Sequence, residues 1–493
     1  MSLFDRKPIA AIQAEAEHSP LKRSLGPVQL TALGIGSIIG TGIFVLVGTA
    51  ASQHAGPALV LSMVFTAIAC GFAGLCYSEI AAMIPVAGSA YTYSYATIGE
   101  FVAWIIGWDL ILEYALSIST VAVGWSGYFV SFLKNFGIVF PSRLAAAPGV
   151  TVTLANGSTV HGSVNVPAAL IVLGVTLLCV RGIKESATAN AVLVAIKLLV
   201  LVVFVIAGAS YVTRANLTPF IPPNTGAFGS FGFSGVMRAS GIMFFAYIGF
   251  DAVSTAAQES RKPQRDLPIG ILVSLAVCTV LYIAVAIVLM GVVPYGKLNV
   301  PDPLAVGIDA TGLTWLSPFI KISALFGLFS TMIAQMIGQT RIFYSMSRDG
   351  FLPAVFGRVH DVFRTPHMST LLTGGVVMVA AAFTPIDVLS ELVSMGTLLA
   401  FVLVSIGLIV LRKTHPDIPR PFRAPWVPFT PIVGAVACLA QMVSLPGATW
   451  LRLVIWLVIG LVVYFGYSQR RVEARRIPNG QDAMTSAPRV SSP

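Results

Sequence analysis

Four ionisable side chains stand where this chain is otherwise apolar. Lys197 lies within Ala191-Val192-Leu193-Val194-Ala195-Ile196-Lys197-Leu198-Leu199-Val200-Leu201. Asp109 and Glu113 are one helical turn apart in a second apolar run, and Asp251 closes Ser240-Gly241-Ile242-Met243-Phe244-Phe245-Ala246-Tyr247-Ile248-Gly249-Phe250-Asp251. Charges in such settings are costly, face the interior by default, and mark ion pathways or ligand contacts. Lys197 is about seven residues, roughly 10 Å, from the polar Asn190 end of its run. Snorkelling would cover part of that distance. The alternative is an ammonium that gains and loses a proton inside the protein. Glu113 admits three readings: contact with a cationic substrate side chain, a tie to a neighbouring broken helix, or a plain interhelical pair. Asp251 suits shaping of the backbone around it, by accepting N–H groups, better than direct contact with a ligand. Glu79 and Glu391 lie nearer the ends of their runs and read as structural.

Backbone is the other source of chemistry. In Gly34-Ile35-Gly36-Ser37-Ile38-Ile39-Gly40-Thr41-Gly42-Ile43-Phe44-Val45, four residues between 34 and 42 are Gly. Each costs roughly 1 kcal/mol relative to Ala in a helix interior. An unwound segment there would expose N–H and C=O groups able to hold a ligand. A second interruption follows some two hundred residues later at Ile248-Gly249-Phe250-Asp251. Close helix packing of the Gly-xxx-Gly kind is the bland reading, and Gly36 and Gly40 have that spacing. It leaves Gly40-Thr41-Gly42 and the acid beside Gly249 without a reason.

The elements that must position these groups are membrane-spanning helices. Mean hydropathy is +0.85, and 56% of residues are hydrophobic against 10% charged. A crossing needs about 20 mostly apolar residues. About twelve such segments are visible, near 29–52, 57–83, 95–132, 165–180, 188–211, 234–257, 266–291, 314–345, 368–384, 386–411, 426–445 and 449–468. A barrel would need short alternating segments, and runs such as Leu193 to Ala207 do not alternate. The two interruptions fall in the first and sixth segments. A break in the first helix of each of two five-helix halves predicts an inverted repeat, whose breaks meet near the bilayer midplane.

The net charge of +10 is a topology signal rather than a nucleic-acid one. With both ends on one side, that side's loops and tails hold 22 of the 30 Lys and Arg, from Arg6 and Lys22 through Lys184, Arg261 and Arg364 to Arg489. The other side has five: Lys134, Arg143, Arg214, Lys297 and Arg452. This is the positive-inside bias, and it predicts a multi-pass cell-membrane protein with both termini cytoplasmic. Lys321 and Arg238, at the edges of spans, read as anchors or gate residues. The five cysteines (Cys70, Cys76, Cys179, Cys278, Cys438) sit in apolar segments without Cys-xx-Cys spacing, which indicates packing rather than a disulfide frame or a metal site. No cleavable signal is visible, and the tails 1–24 and 471–493 read as flexible. The sequons at Asn156 and Asn216 carry little weight. The absence of HExxH, GxSxG and clustered His argues against a membrane enzyme, and no cofactor is indicated. No phosphate-cradling Gly-xxxx-Gly-Lys-Ser/Thr stretch points to direct ATP drive.

These residues carry a family resemblance. Gly36-Ser37-Ile38-Ile39-Gly40-Thr41-Gly42-Ile43-Phe44 resembles the first-helix signature of the amino acid–polyamine–organocation superfamily. Glu79 followed by Pro85-Val86-Ala87-Gly88-Ser89-Ala90-Tyr91-Thr92-Tyr93 is similar to its loop between spans two and three. Phe244 to Asp251 resembles its sixth helix, and Arg341-Ile342-Phe343-Tyr344-Ser345-Met346-Ser347-Arg348-Asp349-Gly350 the segment after its eighth. Gly88-Ser89, Gly291-Val292-Val293-Pro294-Tyr295 and Arg420-Pro421-Phe422-Arg423-Ala424-Pro425 lean towards its cationic amino acid transporter family. The likeness runs over about 25–470. It implies an all-α, LeuT-like fold of twelve transmembrane helices: repeat one about 29–211, repeat two about 234–411, and two extra helices at about 426–468.

It also implies the substrate. An amino acid brings a carboxylate and an ammonium that both need partners on leaving water. The N–H groups of Gly40, Thr41 and Gly42, at the start of a half-helix, suit the carboxylate. The carbonyls of Ile38, Phe245, Ala246 and Ile248 suit the ammonium. Resemblance to proton-coupled members gives Lys197 the place of a cation between the first and eighth helices, with Ser330 and Thr331 as partners. The expectation is a secondary transporter importing amino acids with protons by alternating access. An exchanger is its rival. A sensor would need an added signalling domain, and the tails leave no room for one. Glu113 hints at Lys, Arg or ornithine, while small neutral substrates stay open, as does the oligomeric state.

Overall fold

The computed structural model describes residues 6–8, 23–86, 89–153, 158–182, 187–363 and 365–471. Most of both tails, Gly88, Asn156, Lys184 and Arg364 lie outside the described residues. Among those described, eight helices are long and apolar enough to cross a membrane, and Pro27–Ile38, Val166–Arg181, His367–Phe383 and Phe429–Ser444 are shorter apolar helices.

The first helix, α1 (Pro27–Ile38), starts at a proline in its first position, and the Gln29 side chain accepts the Gly26 N–H at 3.0 Å. It stops where Ile39 turns extended (φ −73°, ψ 98°). The chain resumes as a helix at Gly42–Leu46, in wide turns of the π kind, and runs to Ala55. After a turn at Gly56-Pro57 comes α2 (Leu59–Met83). Then follow α3 (Ser89–Thr97), α4 (Glu100–Lys134), α5 (Val166–Arg181) and α6 (Ala187–Ala209). The second interrupted helix is α7 (Gly232–Met243), continued by a tight turn Phe244–Tyr247 and broken at Ile248–Asp251. The rest are α8 (Pro263–Val292), the short α9 (Pro303–Asp309), α10 (Ser317–Asp349), α11 (His367–Phe383), α12 (Ile386–Thr414), α13 (Phe429–Ser444) and α14 (Gly447–Val463). A small antiparallel hairpin, Thr151–Thr153 with Thr159–His161, was not foreseen; it lies between α4 and α5 in a polar stretch too short to show an alternating pattern.

The helices pack in two groups, joined where α12 lies on α13. In one, α8 lies against α1 and α2, with α7 and α13 beside α2; in the other, α4 packs on α10, α11 and α12, and α5 on α11. Helix α6 touches α1, α8 and α10. Burial follows this plan: 78% of the apolar stretch in Gly232–Thr255 is buried, against 22% in Gly447–Arg471. The broken helix is therefore central and the last helix peripheral. All five cysteine thiols are buried within the packed helices.

Polar groups anchor this packing. Glu79 on α2 is wholly buried and receives Arg412 twice, at 2.9 and 2.6 Å, the Ala424 N–H at 2.7 Å, and Arg420 at 3.4 Å. Its structural reading is supported, and on a larger scale than its place near a helix end suggests. On the far side of α4, Trp108 and Trp456 exchange indole N–H to carbonyl bonds at 2.9 and 3.1 Å and stack at 4.6 Å, holding α14 in place.

Candidate functional site

Where α1 stops, its last carbonyls have no partner inside the helix. The Ile35 carbonyl takes the Ile39 N–H at 2.9 Å. The Ile38 carbonyl takes the Tyr282 hydroxyl of α8, also at 2.9 Å. Lys197 of α6 serves two more: its Nζ donates to the Gly36 carbonyl (3.0 Å) and the Ile39 carbonyl (3.2 Å), and also to Thr331 Oγ1 of α10 (2.9 Å). The Thr331 hydroxyl in turn donates to the Gly327 carbonyl at 3.0 Å, which leaves a lone pair free to accept from the ammonium. Gly327 makes room, since a Cβ there would sit 3.0 Å from the Lys197 stem. The Lys197 side chain is fully buried. It does not snorkel; it lies at the carbonyl end of a helix, where a cation is favoured. Thr331 is its span-eight partner.

The two breaks touch. A Cβ on Gly42 would come 2.3 Å from Ala246 Cα, and one on Gly249 (φ +121°) would come 2.7 Å from the Ser37 carbonyl carbon. Only glycine permits either approach, and at Gly249 the backbone conformation asks for it as well. Beside this junction lies a cavity of about 390 Å³. Ser37, Ile248 and Gly249 form its inner wall; Glu113, Tyr114 and Ser117 of α4 and Thr331 and Gln335 of α10 form its sides. It extends to Asp251, Glu259, Arg341 and Ser24, where Arg341 pairs with Glu259 at 3.6 Å.

The expected site residues divide. Glu113, Asp251 and Ile248 line the cavity. Gly40, Thr41, Gly42, Ile38, Phe245 and Ala246 are buried in the junction behind it, because the small residues of both breaks pack on each other. Asp251 precedes the turn Ala252–Thr255 without a side-chain capping bond to it. Lys321 is buried against Ser131 of α4 and Asn135 just past its end, and Arg238 donates to the Ser444 carbonyl at 2.7 Å, both in anchoring positions. Tyr282, Ser117 and Gln335 were missed, being uncharged polar residues inside ordinary apolar spans.

Residues 25–466 match the family described as Amino acid permease. The chain belongs to this family. It is 46% identical over 470 residues to the methylthioribose transporter of Bacillus subtilis (strain 168), covering 95% of this chain and 98% of that one. It is also 46% identical over 474 residues, with the same coverage, to the branched-chain amino acid permease BcaP of that organism. The vacuolar cationic amino acid transporter 4 of Arabidopsis thaliana is 35% identical over 421 residues, 84% of this chain and 68% of its own length. This permease is thus a multi-pass membrane protein of a transporter family and not an enzyme.

Proposed function

We propose that this permease is a secondary active transporter that imports an amino acid together with a proton across the cell membrane, by alternating access. The reading takes both termini as cytoplasmic, twelve crossings, and two five-helix repeats of opposite orientation over about 29–211 and 234–411, with two further helices. The contact of the two breaks at Gly42–Ala246 and Gly249–Ser37 supports it. Two of the relatives are named for amino acids, one for branched-chain and one for cationic ones, and a third for methylthioribose. An amino acid is the substrate class that also suits the paired anion and cation sites of the two breaks. Its carboxylate would meet the N–H groups of Gly40, Thr41 and Gly42, and its ammonium the carbonyls of Ile38, Phe245, Ala246 and Ile248. Substrate reaching the cavity would part the Gly42–Ala246 junction to make these contacts.

Lys197 carries the proposal. Its three hydrogen bonds join α6 to the end of α1 and to α10. An ammonium has three N–H donors and a neutral amine two, so losing the proton removes one of these ties and loosens the broken helix. Proton transfer and helix movement are then one event. The test is uptake into proteoliposomes. Accumulation driven by an acid-outside gradient into an empty lumen fits symport. Uptake that appears only when the lumen holds amino acid, whatever the gradient, replaces this reading with the exchanger.

A further inference from the structure

Helices α5 and α11 form a pair that is short for a membrane. They hold 16 and 17 residues. They are therefore about 24 and 26 Å long, against a hydrocarbon core of about 30 Å. The two cannot slide apart to make up the difference. At one end the Asn165 N–H donates to the Ala382 carbonyl at 2.9 Å, and at the other the Thr365 hydroxyl donates to the Val180 carbonyl at 2.7 Å. Between these ties a Cβ on Gly374 would come 2.2 Å from the Thr176 hydroxyl oxygen. A short apolar span is matched by a thinner bilayer around it or by flanking residues that reach the interface.

The loop at the Thr365 end suits such a place. Residues 358–363 lie beyond both helices, yet Val359, Val362 and Phe363 are exposed, Val362 to 77%. They follow on from the exposed Leu177 and Leu178 of α5 and Leu371 and Leu372 of α11. The loop is also tied to itself. The His360 N–H donates to the Thr365 carbonyl at 2.8 Å, and His360 Nδ1 accepts from the Val362 and Phe363 N–H groups at 3.1 and 3.3 Å. Its ring lies 4.7 Å from that of Phe363. The apolar tip is thus held outward by its own backbone. Beside it stand Arg181, at the end of α5, and Arg358, both exposed. Lys184 and Arg364 add to them in sequence, against Glu185 and Asp361. The positive-inside bias accounts for the arginines. It does not account for Val362 and Phe363, which are exposed outside any apolar span. An exposed apolar tip with a basic rim is what an anionic membrane interface attracts.

We infer that the α10–α11 loop and the end of α5 form a seat for an anionic phospholipid of the cytoplasmic leaflet. Val362 and Phe363 enter beside its acyl chains, and Arg181 and Arg358 meet its phosphate. The choice of leaflet follows the orientation proposed above; the seat itself does not depend on it. It lies on the connection from α10, whose Thr331 holds Lys197, to α11.

The experiment uses full-length Val362→Cys carrying an environment-sensitive fluorophore; the native thiols are buried and escape labelling. In vesicles, a spin label near the headgroup of phosphatidylglycerol or of phosphatidylcholine quenches from the lipid side, and iodide from the water side. Spin-labelled phosphatidylglycerol should quench at least about threefold more strongly than spin-labelled phosphatidylcholine, and iodide weakly. Arg181→Gln with Arg358→Gln should make the two lipids quench equally, with iodide still weak. Val359→Cys takes the place of Val362→Cys, and Arg358→Gln alone that of the arginine pair, if either does not fold. Strong iodide quenching without lipid quenching puts the loop in water and overturns the seat. Equal quenching by the two lipids while both arginines are present overturns it too, as does a preference that survives their loss. A preference abolished by inorganic phosphate at constant ionic strength assigns the arginines to free phosphate and likewise overturns it. None of these outcomes bears on the amino acid reading.

Discussion

Lys197 and Glu113 are ionisable side chains buried in one helical core, yet their surroundings are opposite. Lys197 is held by two carbonyls and a hydroxyl, each placed by a structural accident of its own: a helix that ends, and a threonine whose hydrogen is already given away. Glu113 borders the cavity, and its buried Oε2 has no hydrogen-bond partner. Burial of a charge is tolerated when it is paired and costly when it is not. The difference sorts the two by role. The satisfied charge ties helices together and suits a part that moves with protonation. The unsatisfied one has an acceptor left over. Glu79, wholly buried with four contacts, belongs with Lys197 in this respect and acts only as structure.

The strongest way to break this contrast is at Lys197. Lys197→Met keeps the length of the stem and removes all three bonds. Uptake driven by a pH gradient should fall by at least tenfold, about 1.4 kcal/mol in coupling or more. Normal gradient-driven uptake by the folded variant would remove Lys197 from the coupling and leave it a tie like Glu79.

Glu79→Gln comes next, and its effect should fall on stability. The amide cannot answer the two arginines, which stay with their charge partly enclosed. Removing one member of a buried pair typically costs about 3 kcal/mol or more. Thermal unfolding in detergent should shift down by several degrees, with substrate selectivity unchanged. A variant as stable as the wild type would show that the 415–425 loop is held by its other contacts.

Much of this was legible in the sequence, for reasons that particular residues show. Four glycines between 34 and 42 cannot belong to an undisturbed apolar helix, and α1 does stop at Ile38. A lysine among ten apolar residues could not be an ordinary surface charge. The other half of each interaction was hidden. Tyr282 and Ile38 are 244 residues apart, and Glu79 and Arg412 are 333 apart, so no local pattern joins them. Gln335 and Ser117 gave no signal because an uncharged polar residue in an apolar span is common and its direction is unknown until the helices are packed. The glycine-rich break was read as a surface for ligand. What that reading did not contain is the packing of Gly42 on Ala246, since residues small enough to admit a ligand are also small enough to admit each other.

That junction supplies a smaller effect. Gly42→Ala would place a methyl 2.3 Å from Ala246 Cα, a contact no rotamer relieves. Overpacking of this kind costs about 1–3 kcal/mol. The paired variant Gly42→Ala with Ala246→Gly should recover only the part owed to the Ala246 methyl, 2.4 Å away, because the contact with the Ala246 backbone stays. Unfolding temperatures of the two variants and the double variant measure the coupling between the breaks. Additive losses in the double variant would mean that the two breaks do not bear on each other in the membrane.

The smallest expected effect is the most telling for the contrast. Glu113→Gln replaces a carboxylate whose Oε2 has no hydrogen-bond partner to lose. In ligand-free protein the exchange therefore removes little, and stability should stay within about 1 kcal/mol of the wild type. This is the reverse of Glu79→Gln, although both are single Glu to Gln changes at buried positions in the same core. Burial cannot account for opposite outcomes; only the presence or absence of protein partners can. If ligand-free Glu113→Gln instead loses as much stability as Glu79→Gln, Glu113 is a tie between α4 and its neighbours, and the empty acceptor in the cavity wall is not a seat for substrate.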